Sequence, residues 1–239
     1  MSTDVLLHAK GVGKSFGGFT ALAEIDIDLR PGERLGLIGP NGSGKSTFVN
    51  CISGDFAQHE GTVTLAGHSL NGLKPHRRAR LGLARTFQLP QPFNSLSVLE
   101  NVRVPLLFSG HAADATERAM ACLEQVEMAD KAQKLPKELT QVEQRRLELA
   151  RAIALNPRLL IADEAMAGLS NAEVDQIIAL LFKLNQAGAA IIMIEHIMRA
   201  VTAFSERLVV FVAGRKIADG IPRDVLALEE VEGAYLGKQ

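Results

Sequence analysis

No apolar run in this chain approaches the roughly 18 residues needed to cross a bilayer, which excludes a membrane-spanning helix. The opening MSTDVLLHAKG has no long apolar core and does not read as a signal peptide. Cysteine is scarce: Cys51 and Cys122 stand far apart. Two distant thiols make no disulfide framework and read as buried, reduced side chains of a cytosolic protein. Excess charge of either sign is also missing. A net charge of −1 over 239 residues gives no footprint for a nucleic-acid backbone, so no nucleic-acid partner is expected. Internal repeats and low-complexity tracts are absent too. What remains is a soluble globular chain, 47% hydrophobic, long enough for one large domain carrying a lobe.

The hydrophobic pattern supplies its elements. AEIDIDL (23–29) alternates apolar and acidic residues, as a half-buried strand does, and Pro31-Gly32 then turns the chain. RLGLIG (34–39) is the short apolar run of a buried strand, followed by a glycine-rich loop and a helix predicted from Lys45 to about Ser53. TVTLAG (62–67) alternates again, which points to an antiparallel sheet near the N-terminus. From about 93 to 155 the spacing is mostly helical, then LLIADE (159–164), AAIIMIEH (189–196) and ERLVVFVAG (206–214) read as buried strands. NAEVDQIIALLFKLNQ (171–186), between the first two of these, is an amphipathic helix. Strands alternating with helices predict an α/β fold with a mostly parallel sheet, and the helical middle an inserted lobe.

GPNGSGKS (39–46) fits the spacing G-x-x-x-x-G-K-[ST] after a strand and before a helix, the context of a phosphate-binding loop. Gly39, Pro40, Asn41, Gly42, Ser43 and Gly44 form the cradle. Lys45 is expected to reach the β- and γ-phosphates of a nucleotide, Ser46 to ligate Mg²⁺, and Thr47 to bond the α-phosphate. Two carboxylates end LLIADE: Asp163 as a metal-side acid acting through a water, Glu164 as general base or water-positioner. His196 ends a further apolar strand, Gln88 closes ARTFQLP, and Phe16 is one of ten phenylalanines. These three mean little singly.

Their order along the chain gives them meaning. Aromatic, phosphate loop, glutamine, helix start, Asp-Glu, Gly-Leu-Ser and histidine together resemble the ATP-binding subunit of ABC transporters over nearly the whole chain. The resemblance implies a P-loop NTPase of ABC type. Its ATP-binding core and N-terminal antiparallel β-subdomain would occupy 1–92 and 151–239, and an α-helical signature subdomain 93–150. It implies that Phe16, in KSFGGFTAL, stacks on adenine, that Gln88 senses metal and nucleotide and faces the permease, and that Asp163 and Glu164 are the Mg²⁺-side and catalytic carboxylates. Ala167-Gly168-Leu169-Ser170 would cross a dimer interface, and His196 would contact the γ-phosphate. PHRRARLGLARTFQLPQPFNSLSVLENV (75–102) is similar to the ATPases of branched-chain amino-acid importers. Lipopolysaccharide-export ATPases share its HxRARLG portion and differ around the glutamine. The cluster Arg77, Arg78 and Arg80 reads as a solvated face or a contact for an acidic protein.

One stretch departs from that family's pattern. LTQVEQ (139–144) stands where the family signature is usually LSGGQ. Thr140 can replace the serine hydroxyl and Glu143 fits, but Gln141 and Val142 replace glycines. A valine forced to positive φ would be strained. Three readings stay open: Val142 takes a helical φ and the phosphate contact works in weakened form; the signature is degenerate and its site barely turns over; or Thr140 and Glu143 form a capping box only. A signature completes the partner's ATP site. The resemblance therefore implies a second ABC ATPase subunit, with a heterodimer favoured over a homodimer. It also implies two permease subunits and a solute-binding protein, at the cytoplasmic face of the inner membrane, powering import of branched-chain amino acids or related polar solutes. A nucleotide-gated regulatory subunit with little turnover is the alternative.

Overall fold

The computed structural model describes residues 5–87, 90–110 and 112–236. Gln88 lies outside them.

Two sheets organise the chain. The first is antiparallel, built from β1 (Leu7–Phe16), β2 (Phe19–Leu29), β4 (Glu60–Leu65) and the short β5 (His68–Ser69), in the order β2-β1-β4-β5. β2 shows the alternation its sequence predicts: Ile25, Ile27 and Leu29 are buried while Asp26 and Asp28 face out. The second sheet has six strands in the order β10-β9-β3-β8-β7-β6. Its members are β3 (Arg34–Ile38), β6 (Leu83–Arg85), β7 (Leu159–Asp163), β8 (Ala190–Ile194), β9 (Arg207–Val212) and β10 (Arg215–Gly220). All neighbours are parallel except β10, an antiparallel edge strand hairpinned to β9.

β7 and β8 are buried at every position. That is the signature of a parallel strand covered on both faces. Successive residues of β8 serve opposite cores. Ala190, Ile192 and Ile194 join the apolar cluster shared with the antiparallel sheet and with α1 (Lys45–Ser53). Ile191 and Met193 join the cluster shared with α3 (Val98–Phe108), α4 (Ala115–Gln125), α5 (Gln141–Ile153), α6 (Asn171–Gln186) and α7 (Met198–Phe204). The six-stranded sheet is therefore the middle layer. α2 (Pro75–Arg80) precedes β6, and α8 (Pro222–Leu226) and α9 (Glu229–Leu236) follow β10.

Four of the strands, β1, β5, β6 and β10, are not read from the sequence. β1 contains two glycines and register shifts, which blur its alternation, and β5 and β6 are two and three residues long. The helical stretch predicted from about 93 begins only at Val98, where Ser97 and Glu100 form a capping box.

The arginine cluster divides in a way the sequence reading did not foresee. Arg77 and Arg80 are exposed, but Arg78 is 2% exposed. Its Nη1 donates to the carbonyls of Cys51 (2.5 Å) and Ile52 (2.7 Å) at the end of α1, and its Nε to Leu73 (2.9 Å). The guanidinium thus closes the carboxyl end of the helix that follows the phosphate loop, satisfying carbonyls that have no helical partner. Arg78→Leu leaves these acceptors unmet. It is expected to lower unfolding stability by roughly 2–4 kcal/mol in a urea titration, while Arg77→Leu changes it by less than about 0.5 kcal/mol.

Candidate functional site

The loop between β3 and α1 is shaped by glycines that cannot be replaced. Gly39 has φ 152°, and a Cβ there would lie 2.2 Å from the carbonyl oxygen of Phe211 at the end of β9. Gly44, the N-cap of α1 at φ 103°, would push a Cβ to 2.8 Å from the carbonyl of Ala21 in β2. Between them the chain turns back so that Ser43 N–H bonds Pro40 O at 3.2 Å. Lys45 is 6% exposed and folds onto this loop, its Nζ donating to Gly39 O (2.6 Å) and Pro40 O (3.1 Å). Burial lowers the Lys45 pKa, and the charges of Glu164 and Asp163 oppose that shift.

A cavity of about 280 Å³ opens over the loop. Asn41, Gly42, Ser43, Gly44, Lys45, Ser46 and Thr47 form its floor, Phe16, Phe19 and Ala21 one wall, Glu164 and His196 another. Phe16 is 45% exposed and presents its ring to the cavity rim. Phe56 packs edge-on against it, centroids 5.3 Å apart, and Lys14 Nζ lies 5.0 Å from the Phe16 centroid. Lys14 is held by the carbonyl of Ala57 at 2.7 Å. Lys14, Phe19 and Phe56 were missed in the sequence. For Lys14 no local signal is available, because the register shifts of β1 fall at that residue.

The acidic end of β7 splits into two roles. Asp163 is the last strand residue, 6% exposed, and its Oδ2 accepts from Arg85 Nη2 at 2.7 Å. Arg85 also bonds Asn50 Oδ1 (2.6 Å) and Asp55 Oδ2 (3.1 Å). Glu164 lies just beyond the strand at φ 47°, an uncommon conformation for a non-glycine residue. It turns its Oε1 to His196 Nε2 at 2.9 Å. Beside His196, Glu195 is 3% exposed and accepts from Met166 N–H at 2.9 Å. Burial pushes its carboxyl up to about 7. The Met166 N–H works against that shift and repulsion from Glu164 adds to it.

The signature residues lie apart from the cavity lining. Thr140 is the N-cap of α5: its hydroxyl accepts from Glu143 N–H (3.4 Å) and Glu143 Oε2 from Thr140 N–H (2.8 Å). That reciprocal bond holds the Glu143 carboxyl below the usual carboxylate range. Val142 is helical and not at positive φ, and it packs against the helical cluster. The strain that a valine would suffer at a left-handed position is therefore absent. Gln141 turns its side chain back to the loop after Glu164.

A glycine-walled loop between a parallel strand and a helix, with two carboxylates at the end of β7 in the same sheet, defines a phosphate-loop nucleotide-binding ATPase. The chain matches the ABC transporter family over residues 22–167, and it belongs to that family. It is 35% identical to the high-affinity branched-chain amino acid transport ATP-binding protein LivG of Salmonella typhimurium, over 98% of each chain. The corresponding protein BraF of Pseudomonas aeruginosa is 33% identical over 98% of each. Among solved structures, an ATP-binding cassette of an ABC transporter in its ADP conformation superposes with a TM-score of 0.90 at 28% identity, covering 98% of this chain and 99% of that one. A nucleotide-free cassette superposes at 0.89 and 28% identity, covering 98% and 100%.

Glu195 gives the site a pH dependence. Its folded pKa of about 7 exceeds the ordinary 4.5, so its contribution to stability is complete below about pH 4.5 and disappears as pH rises through 7. The loss amounts to roughly 3 kcal/mol. Glu195→Gln keeps an acceptor for Met166 and removes the charge. Urea unfolding at pH 8 is expected to find the variant more stable than wild type, with the difference gone near pH 5.

Proposed function

We propose that this chain is the ATP-binding and ATP-hydrolysing subunit of an ABC importer for branched-chain amino acids or related polar solutes. The observation that carries the reading is the cavity itself, where the phosphate loop and the Glu164–His196 pair face each other. Relatives named as branched-chain amino acid transport ATP-binding proteins support the solute class.

In this reading the loop N–H groups and the start of α1 take the phosphates, where backbone donors and the helix dipole favour negative charge. Lys45 exchanges the carbonyls of Gly39 and Pro40 for β- and γ-phosphate oxygens. Phe16 stacks on adenine, with the Lys14 cation beside its ring. Thr47 bonds the α-phosphate. Glu164 orients a water and accepts its proton as the water oxygen bonds to the γ-phosphorus and the bond from that phosphorus to the ADP oxygen breaks. His196, held by Glu164, donates to the γ-phosphate. The Ser46 hydroxyl and the Asp163 carboxylate are hard oxygen donors that fit Mg²⁺, with Gln88 a third ligand from outside the described residues. Bound there, the ion neutralises phosphate charge.

Closure brings in a second ABC ATPase subunit, whose nucleotide meets the start of α5. A heterodimer is favoured over a homodimer, because a partner with glycines in its signature would complete this chain's own site. The helical φ of Val142 and the hydroxyl of Thr140 at the start of α5 favour a signature that works in weakened form. Phe87 and Phe93, and Leu107 and Phe108 at the end of α3, are 44–77% exposed. They support docking to two permease subunits, and through them to a solute-binding protein. No helix among the described residues is long and apolar enough to cross a membrane. In this reading the subunit is held peripherally at the cytoplasmic face through its docking to the permeases. A nucleotide-gated regulatory subunit is the second reading, favoured only by Gln141 and Val142.

ATP binding and hydrolysis by the full chain separate the two. Lys45→Ala is expected to weaken ATP binding by at least about tenfold, through loss of charge-assisted bonds. Glu164→Gln is expected to bind normally and to hydrolyse about 10²–10⁴ times more slowly. A wild type that binds ATP without turnover, alone and with its membrane partners, favours the regulatory reading. One that binds no ATP defeats both.

A further inference from the structure

Gln141 occupies the first turn of α5 in place of a glycine, and its side chain has a definite destination. Nε2 donates to the carbonyl of Ala167 at 3.3 Å. Arg145, four residues on and so on the same helix face, donates its Nη2 to the same carbonyl at 3.2 Å and its Nη1 to Phe87 O at 3.4 Å. A carbonyl oxygen has two lone pairs and can accept both donors. Gly168, next in the chain, has φ +80°, and a Cβ there would sit 2.6 Å from Gln141 Nε2. On its other side this loop is tied by Met166 N–H to Glu195. The segment from Met166 to Gly168 is thus held between the end of β8 and the start of α5, and it begins two residues after Glu164.

We propose that Gln141 is a positioning residue: with Arg145 it fastens the loop after Glu164 to the start of α5, so that movement of this helix end is passed to Glu164 in the chain's own cavity. The inference rests on the functional reading above, in which the start of α5 meets the nucleotide of a second subunit. A glycine at 141 would leave Arg145 as the sole link to Ala167 from α5. The glutamine gives up close backbone approach and gains a mechanical tie between the two sites. Both donors hang from one helix, so the tie moves as a unit with α5. The bonds are at the long end of the normal range, which suits a link that yields as the helix shifts.

The test uses the full chain in four forms: wild type, Gln141→Ala, Gly168→Ala and the double variant. Gln141 is exposed at a helix end, so its truncation leaves the core intact. Two quantities are read. The first is amide hydrogen exchange without nucleotide. The second is kcat and KM for ATP, on the chain alone or, where that is silent, on the chain co-purified with its membrane subunits. Gln141→Ala is expected to speed exchange in 165–170 by about tenfold while 39–47 stays within about twofold. It is expected to lower kcat by about fivefold with KM within about twofold, because Glu164 is less well placed while ATP binding is untouched. Gly168→Ala displaces the Gln141 amide, so the double variant is expected to lose little more kcat than Gly168→Ala alone. Unchanged exchange at 165–170 overturns the proposal, as does a loosened loop with unchanged kcat, or losses that multiply in the double variant. A wild type that binds no ATP overturns the functional reading instead, and the exchange readout still judges the tie.

Discussion

The loop from Gly39 to Gly44 lies against two carbonyls that leave no room for a side chain, Phe211 O on one side and Ala21 O on the other. The cavity depends on that contact. It requires β3 to sit beside β9 in the parallel sheet and β2 of the antiparallel sheet to reach over the start of α1. The two sheets therefore meet at the phosphate loop, and α1 with its apolar side chains fills the space between them. Arg78 then closes the far end of α1 from α2, tying the helix into the fold at both ends.

The electrostatics follow from the same geometry. Parallel strands deliver their carboxyl ends to one edge of the sheet, so Asp163, Glu164, Glu195 and His196 converge there without being near in sequence. The edge would be overloaded with negative charge if each acid faced the cavity. Instead Asp163 is paired with Arg85, and Glu195 is buried against a backbone N–H and shifted toward its neutral form. Glu164 is left facing the cavity with His196, while Lys45 is held on the opposite side by backbone carbonyls.

Much of this is legible in the sequence. The phosphate loop, the helix from Lys45 to Ser53 and the strand ending in Asp163 are written in local patterns, a glycine spacing and apolar runs, whose meaning does not depend on distant residues. The capping box at Thr140 and Glu143 is equally local. The less legible features are long-range. Arg78 looked like one of three surface arginines, and only the approach of α2 to α1 buries it. Phe56 supports Phe16 from the loop that follows α1, forty residues away. Arg85 reads as one more cation until β6 is paired with β7.

The signature shows the division most plainly. The sequence by itself determined that α5 starts at Thr140, because the reciprocal bond of a capping box needs only residues three apart. It also determined that glycine is missing at 141 and 142. The tertiary structure alone decided what replaces it: Val142 packs into the helical cluster, and Gln141 reaches a carbonyl 26 residues away. Backbone conformation at a helix start is set by neighbours along the chain. The destination of a long polar side chain is set by whatever acceptor the fold brings within about 3 Å of it.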